Sequence, residues 1–436
     1  MAPSGLGNCR ILHVLNPELI GGIETVFLSY LDSTRDRRLD HHMMARGRLP
    51  HEFFSTKVRD RVRSFSLAHY WRQIKLPPRP KFFRSARAKR IMRAISPDVI
   101  LLHNGIGNSA IWELSLGSGA DVVYYDHGAA WTETPRPRLL DSLARAKGVI
   151  CCSDASRRTL EERWGVARGT ARVILNCFPA YFKSKKIKPR RLPTDRPIRI
   201  GAAGQLRPGK GLFLTLHALK HLRAKGFDCM LQVAGTGPYL GDLRRLADRL
   251  GIASQVSFNG LLRDIGAFFS EIDVFVHPSI HEALGNVCIE AGYFGCPSVV
   301  SAVDGLPESV RDGVTGFCIE PTLLSSEYER LMGDAVELRT NFDMVYLPAT
   351  DSFIRPKLVD PKEIAERIVV LCEHPEAYGE MSVAAHKWTS AIFHPEVYAR
   401  DLDSILCEAA LRHRGISSFP SSSDVGEPDP RTVVPQ

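Results

Sequence analysis

DVFVHPSIHEALGNVCIEA, residues 273–291, holds a strand, a loop and the opening of a helix in one short stretch. Asp273–His277 is apolar and β-branched, as a buried strand requires, and Pro278 ends it. Gly285 precedes a helix, and the backbone N–H groups of Leu284, Gly285, Asn286 and Val287 form an anion site at its start. Glu290 follows among Val287, Cys288, Ile289 and Ala291, where an ionised side chain needs a partner. A ribose diol suits it, because one carboxylate accepts from both hydroxyls. Glu282, in the loop nearer the mouth of a cleft, is placed to accept from hydroxyls of a sugar.

The same alternation runs along the chain in both directions. Upstream strands are expected at Arg10–Asn16, Asp98–His103, Asp121–Asp126, Gly148–Ser153 and Arg172–Cys177. A second set is expected at Ile198–Ala203, Cys229–Ala234, Gln255–Asn259, Pro297–Ala302 and Gly316–Ile319. Between them lie helical patterns such as Tyr239–Leu250, with Leu240, Leu243, Leu246 and Leu250 at helical spacing. Strands alternating with helices predict an α/β chain with parallel, doubly wound sheets. Such sheets bind ligands beyond the carboxyl ends of their strands.

With 436 residues, two domains are the natural division. Residues 1–180 form one Rossmann-like unit, and 181–197, rich in Lys, Arg and Pro, a basic linker. Residues 198–375 form a second Rossmann-like unit that carries an insertion at 322–359. Helices over 376–416 return to the first unit, and 417–436 read as a disordered tail. The two sheets then face each other across a cleft, with a binding edge on each wall.

Two glycine-rich loops fall at those edges. Gly21-Gly22-Ile23-Glu24 follows the first strand and opens a helix, letting the backbone approach a phosphate. Gly204-Gln205-Leu206-Arg207-Pro208-Gly209-Lys210-Gly211 ends the first strand of the second unit. There Arg207 and Lys210 supply two cations for a pyrophosphate without a metal.

The formal charge is +9, but thirteen Lys/Arg against the single acid Asp60 fall between Thr56 and Arg93. The basicity is a patch, not a property of the whole chain. The ten cysteines have no Cys-x-x-Cys or zinc spacing, which suits buried thiols in a reducing compartment. No apolar run is long enough to span a bilayer and no signal-type segment opens the chain, so a cytoplasmic protein is expected.

The Glu-x7-Glu pair Glu282 and Glu290, in its Ser-x-x-Glu-x-x-Gly setting, resembles the signature of retaining glycosyltransferases of family 4. So do Gly21–Gly22, Lys210–Gly211 and Gly305-Leu306-Pro307-Glu308, and His127 in Tyr125-Asp126-His127-Gly128 resembles a cleft histidine of that family. The resemblance runs from about residue 10 to 412. It implies the GT-B fold and a nucleoside-diphosphate-sugar donor, and the loop cations with no acidic metal-binding pair near the cleft lead us to expect no metal or other cofactor. Carried over, Glu290 holds the ribose, Glu282 the donor sugar, and Lys210 the diphosphate, with Gly22 backing it from the opposite unit. His127 reaches the transferred sugar, and Gly260 occupies the base-binding turn. His127, Glu282 and Lys210 form the catalytic set.

Three departures stand out. Gly204-Gln205 replaces the family's Gly-Arg, Asn176-Cys177 replaces its Asn-Gly, and the 322–359 insertion is longer than usual. The expected reaction is a front-face transfer to a hydroxyl acceptor, lipid-linked or a polysaccharide precursor, with the leaving diphosphate taking the acceptor proton. The alternatives are a nucleotide-sugar 2-epimerase on the same fold and a sugar-nucleotide-binding subunit with weak turnover. The 56–93 patch, with Phe65, Tyr70, Trp71, Phe82, Phe83, Ile74, Leu76, Ile91 and Met92, reads as a docking face for an anionic membrane. The expectation is against nucleic acid as its partner.

Overall fold

The computed structural model describes residues 8–17, 21–36, 38–71, 74–77, 82–185, 187, 190–333, 338 and 340–416. The sequence readings on 417–436 and on Arg72, Arg79 and Lys81 lie outside the described residues. The first sheet is built from β1 (Cys9–Leu15), β2 (Leu39–Ala45), β3 (Ser64–Leu67), β4 (Val99–His103), β5 (Asp121–Asp126), β6 (Gly148–Cys151) and β7 (Arg172–Val173). Their order is β3-β2-β1-β4-β5-β6-β7, with every pairing parallel. The second sheet has β8 (Ile198–Ala203), β9 (Cys229–Ala234), β10 (Val256–Gly260), β11 (Val274–His277), β12 (Ser298–Ser301) and β13 (Gly316–Ile319). Its order, β10-β9-β8-β11-β12-β13, repeats the first and is also parallel throughout. Each unit is therefore a doubly wound Rossmann-like sheet, with its switch point between β1 and β4 or between β8 and β11.

Strands β2 and β3 were not anticipated. His41, His42 and Asp40 interrupt the apolar run that marks a buried strand, and β3 sits inside the basic segment. Helix Phe82–Ile95 buries Ala88, Ile91, Met92 and Ile95 at i, i+3, i+4 and i+7. Ile91 and Met92 therefore face the core and are removed from the expected membrane face. Trp71, Ile74, Phe82 and Phe83 are 58, 68, 71 and 49% exposed. Of the cations there, Arg61 pairs with Asp32 and Arg63 with Asp40, so part of the patch is neutralised internally. The ten cysteines are unpaired, with seven of them buried. Cys318, in an apolar run, is only partly buried because β13 is an edge strand.

The return to the first unit comes one helix later than the sequence suggests. Helix Pro375–Ile392 stays on the second unit, where Ser382 donates to the Gly295 carbonyl and Thr389 packs on Gly292. Among the described residues, it is helix Pro395–His413 that crosses. It buries Tyr398, Leu402 and Leu406, each worth about 1.5–3 kcal/mol, and its Asp403 accepts from Tyr30 (2.6 Å) of helix Gly22–Ser33 and from Thr34 (2.7 Å), the C-cap of that helix. The junction itself is packed: Phe178 and Phe182 are buried against Tyr293, and Phe178 N–H bonds to the Phe393 carbonyl. Among the described residues, no helix is long and apolar enough to cross a membrane.

Candidate functional site

The carboxyl ends of β8, β9 and β10 are bare backbone. Gly204, Gly235 and Gly260 all have positive φ, and a Cβ on Gly235 would lie 1.9 Å from the Gly204 carbonyl oxygen. Only glycine fits there. Gly235 and Gly237 were missed in the sequence. Their signal was a strand ending in Ala-Gly, as β8 does at Ala203-Gly204.

Lys210 closes a short 3-10 turn, Pro208–Lys210, that lies against the 278–282 loop. Gly209 accepts hydrogen bonds from the Ile280 N–H (2.8 Å) and Ser279 hydroxyl (2.9 Å), and Gly211 touches the Pro278 carbonyl closely enough to exclude any side chain. That contact puts Lys210 Nζ 2.5 Å from Glu282 Oε2, and His277 Nε2 lies 2.9 Å from the same oxygen. Burial would raise the Glu282 carboxyl, but Lys210 and His277 outweigh it and hold the group far below the usual carboxylate range. Asp304 fixes the loop. It is fully buried at φ +48, and accepts from His281 Nδ1 (2.7 Å), Glu282 N–H (3.1 Å) and Tyr346 N–H (2.7 Å). His277 and Asp304 were not singled out in the sequence, although His277 is the last residue of an expected strand.

Gly285, at φ +95, caps helix Asn286–Tyr293, and a Cβ there would meet Leu306. Leu284 is buried, so it offers only its backbone. Glu290 stands one turn beyond Asn286 on the same helix face. Among the described residues it makes no hydrogen bond or ion pair, and burial alone pushes its carboxyl up to about 8. A half-buried carboxylate without a partner is an open acceptor.

On the opposite wall, a cavity of about 700 Å³ lies beyond β1, β4 and β5, lined by Asn16, Glu24, Arg46, His103, Asn104 and His127 among others. His127 is set rigidly. Its backbone N–H donates to Asn104 Oδ1 (2.7 Å), and its ring stacks on Tyr125. Asp126 pins the following turn by accepting from Gly128 N–H, Ala130 N–H, Tyr124 and Ser156. Behind it stands an unanticipated row of imidazoles. His127 Nε2 is 3.2 Å from His103 Nδ1, His103 Nε2 is 3.2 Å from His13 Nδ1, and His13 Nε2 is 3.0 Å from His41 Nδ1. Burial lowers all four pKa values, to about 3 for His127 and about 4 for His41. A neutral imidazole has one N–H and one lone pair. Three shared contacts therefore admit only two concerted tautomer sets, one placing the outward proton on His127 Nδ1 and the other on His41 Nε2. Neither end nitrogen has a partner among the described residues.

The walls touch at several points. Gly22 lies so close to Asn286 that a Cβ would sit 2.3 Å from its amide nitrogen, and Asn176 holds that amide at 3.0 Å. Gly21 N–H donates to Glu24 (2.9 Å), which sets the first turn of the helix. Ser153 donates to the Ala283 carbonyl (2.6 Å), and Glu308 accepts from the Asp154 and Ala155 N–H groups at the start of helix Asp154–Trp164. The 322–359 insertion, which the sequence left without a role, straps the same side. Its Asp351 and Asp343 pair with Arg158 and Arg163 of that helix, while Phe342 packs on His281.

The structure thus joins Lys210 to Glu282, and Gly22 to Asn286 at the Gly285–Val287 helix start, with His127 on the facing wall. The Arg207 carbonyl accepts from the Lys210 N–H (3.1 Å), but among the described residues neither the Gln205 nor the Arg207 side chain is bonded to these groups. Both are exposed, and Arg207 makes no ion pair among the described residues.

Two family models match the chain in succession: Glycosyltransferase Family 4 over residues 20–180 and Glycosyl transferases group 1 over 183–343. A GDP-mannose-dependent alpha-(1-6)-phosphatidylinositol monomannoside mannosyltransferase of Mycolicibacterium smegmatis is 36% identical over 137 residues. That match covers 29% of this chain and 36% of the relative, about a third of its length. An alpha-D-kanosaminyltransferase of Streptomyces kanamyceticus is 26% identical over 278 residues, 58% of this chain and 72% of that one. The solved structure of Anabaena HepE in complex with UDP and glucose has a TM-score of 0.69 at 19% identity, covering 92% of this chain and 100% of that one. The fold is GT-B.

Proposed function

We propose, from the premise that the two halves are domains of family-4 glycosyltransferase type, that the chain transfers a sugar from a nucleoside-diphosphate sugar to a hydroxyl acceptor with retention. The carrying observation is Glu290, an unpartnered carboxylate one turn from the Gly285–Val287 helix start, with Lys210 and Glu282 on the same sheet edge. Glu290 accepts from the ribose diol, Lys210 and the helix start meet the diphosphate, Glu282 and His127 meet the donor sugar, and Gly260 lies at the base. In the transfer, the sugar C1–O bond to phosphorus breaks and C1 bonds to the acceptor oxygen. The acceptor proton passes to the leaving phosphate oxygen, giving a glycoside and a nucleoside diphosphate with no redox change. Lys210 and the helix dipole stabilise the departing charge, with positioning supplying the rest. Neither role asks for a metal, so activity survives EDTA; inhibition reversed by magnesium would overturn that part.

GDP-mannose and UDP occur in the names above, so the base and sugar are assigned by screening donor hydrolysis over GDP- and UDP-sugars. NMR of the glycoside then reads the anomer. Retention predicts the donor's own configuration, and the opposite anomer rejects it. Nucleotide binding with no turnover on any donor would favour the weak-subunit alternative.

A second observation bears on location. Trp71, Ile74, Phe82 and Phe83 stand exposed beside Lys75, Lys89, Arg90 and Arg93, a composition suited to an anionic headgroup layer. Docking there brings a lipid-linked acceptor to the cleft from the cytoplasmic face. Co-sedimentation with phosphatidylglycerol vesicles is expected at low salt and should fade as salt screens the charges. Arg84, Arg87, Arg90 and Arg93 to Glu should abolish it with donor affinity unchanged. Indifference of the wild-type chain to those vesicles would point to a soluble acceptor.

A further inference from the structure

Arg46 follows β2 and stands where two cavities meet. One is the cavity at His127; the other, of about 560 Å³, is walled by Arg46, His69, Arg84 and Asn108 with Ile111 and Leu114. Among the described residues, nothing pairs with the Arg46 guanidinium. Its Nε is sealed from solvent without a hydrogen-bond partner, and its Nη2 lies so close over Gly105 that a Cβ there would be 2.6 Å away. A half-buried guanidinium with a sealed, unsatisfied Nε costs free energy unless a ligand completes it. Burial has already pushed its pKa down to about 10.

The side cavity favours one kind of ligand. Among the described residues no carboxylate lines it, whereas Glu24 and Glu133 line the cavity at His127. Arg84 is oriented by the Leu76 carbonyl (3.1 and 2.8 Å), which leaves its charge uncompensated, and His69 is held by Gly47. Asn108 caps helix Ser109–Leu116, whose positive end adds to the field. A third cavity, lined by His69, Lys75, Leu76 and Arg84, continues toward the hairpin bearing exposed Trp71 and Ile74.

We infer that the Arg46–His69–Arg84 cavity binds a phosphate ester carried by the acceptor, whose hydroxyl is then presented in the adjoining cavity at His127. The acceptor role rests on the glycosyl-transfer reading above, but the anion site does not. Two planar guanidiniums without carboxylates match phosphate oxygens, and the apolar wall of Ile111 and Leu114 takes the carbon skeleton beside it. The phosphate belongs either to a soluble sugar or polyol phosphate or to a lipid headgroup whose chains leave past Trp71.

Calorimetric titration of the full chain with inorganic phosphate, glycerol 3-phosphate and monomeric dihexanoylphosphatidylglycerol tests this. Arg46→Gln should weaken binding by about tenfold or more, the scale of a charged hydrogen bond, and Arg84→Gln by less. Ser85→Phe fills the cavity while leaving Arg46 in place, and should also abolish binding if Arg46→Gln fails to fold. Lys210→Ala should leave this binding intact, because a signal lost there instead belongs to the donor edge and overturns the assignment. Tighter binding of the lipid than of glycerol 3-phosphate identifies a headgroup, and the reverse a soluble phosphate. No binding by the wild-type chain, or binding unchanged by both Arg46→Gln and Ser85→Phe, overturns the inference. Phosphate binding that depends on Arg46 in a chain that hydrolyses no donor would leave the site standing and remove the glycosyl-transfer reading.

Discussion

The two sheets share one strand order, yet their carboxyl edges treat charge in opposite ways. On the edge of the second sheet, proposed to bind the donor, Lys210, Glu282 and His277 are bonded together, and Asp304 holds His281 and the loop between. Across the cleft, His41, His13 and His103 are buried in a row that ends on half-buried His127, and Arg46 stands unpaired among the described residues. A paired cluster is ready for a fixed distribution of charge. A row of neutral imidazoles whose two end nitrogens are sealed and without a partner among the described residues fixes no charge and admits either tautomer set. The shared fold sets where ligands bind, and the side chains at each edge set what kind of group each wall meets.

Acid should separate the halves most strongly. For His13, His41, His103 and His127 the folded pKa lies below the unfolded value, so their stability is present above pH 6.5 and is lost as pH falls toward the folded values. Each costs at most roughly 1.4 kcal/mol per pH unit in that window. Glu290 and Glu308, raised to about 8 and about 7, run the other way. Their contribution is lost as pH rises through those values and regained on acidification. Hydrogen exchange between pH 8 and 5 should show β1, β2 and β4 losing protection while the 286–293 helix holds or gains it. Equal loss in both halves would break the contrast.

How much of this the sequence disclosed follows the same division. The residues at the β8 and β11 edge lie within short stretches, 204–211 and 278–290, so they can be picked out together in the sequence, and β8 and β9 match their expected limits residue for residue. The histidine row is non-local. His41, His13 and His103 come from three strands, brought together because β1 pairs with both β2 and β4, and no window contains them. Asp304 and the insertion strap were equally hidden, since their partners Tyr346, Arg158 and Arg163 lie tens to hundreds of residues away.

Lys210→Ala tests whether the paired cluster performs the chemistry. Turnover should fall by about 10²–10³, as when one preorganised stabiliser of a developing oxyanion is removed. Nucleoside diphosphate affinity should fall much less, and comparison of kcat with the dissociation constant reads the difference. Equal losses would mean Lys210 grips the ground state only. Thermal unfolding should also drop, because Glu282 is left half-buried beside His277 alone.

Glu290→Gln should weaken nucleoside diphosphate binding by about 1–3 kcal/mol. The wild-type chain carries a further signature. Diol donors favour the ionised carboxylate, so a group near pKa 8 loses its proton on binding. Affinity should therefore rise between pH 7 and 8 and level by pH 9, a window in which the nucleotide phosphates are already ionised. Calorimetry in two buffers of different ionisation heat should detect the released proton, and Glu290→Gln should abolish it. A flat profile in the wild-type chain would remove Glu290 from the ribose.

The smallest effect is expected at the departure from the family pattern. Gln205 stands where the resemblance implies arginine, and Arg207 lies two residues on, exposed and unpaired. A charge in that setting is screened, and exposed pairs are worth about 0.2–1 kcal/mol. Arg207→Ala should thus lower diphosphate affinity about two- to fivefold at low salt, with the difference vanishing at high salt. Gln205→Arg should raise affinity by a similar factor, because it returns a cation to the edge beside Gly204 without displacing the Lys210–Glu282 pair. A loss well beyond tenfold in Arg207→Ala, undiminished by salt, would show that Arg207 swings onto the phosphate and takes over the missing arginine's role. The edge at Gly204 would then be completed only by its ligand, as we infer for Arg46 on the opposite wall, and the contrast between the two edges would narrow to the histidine row.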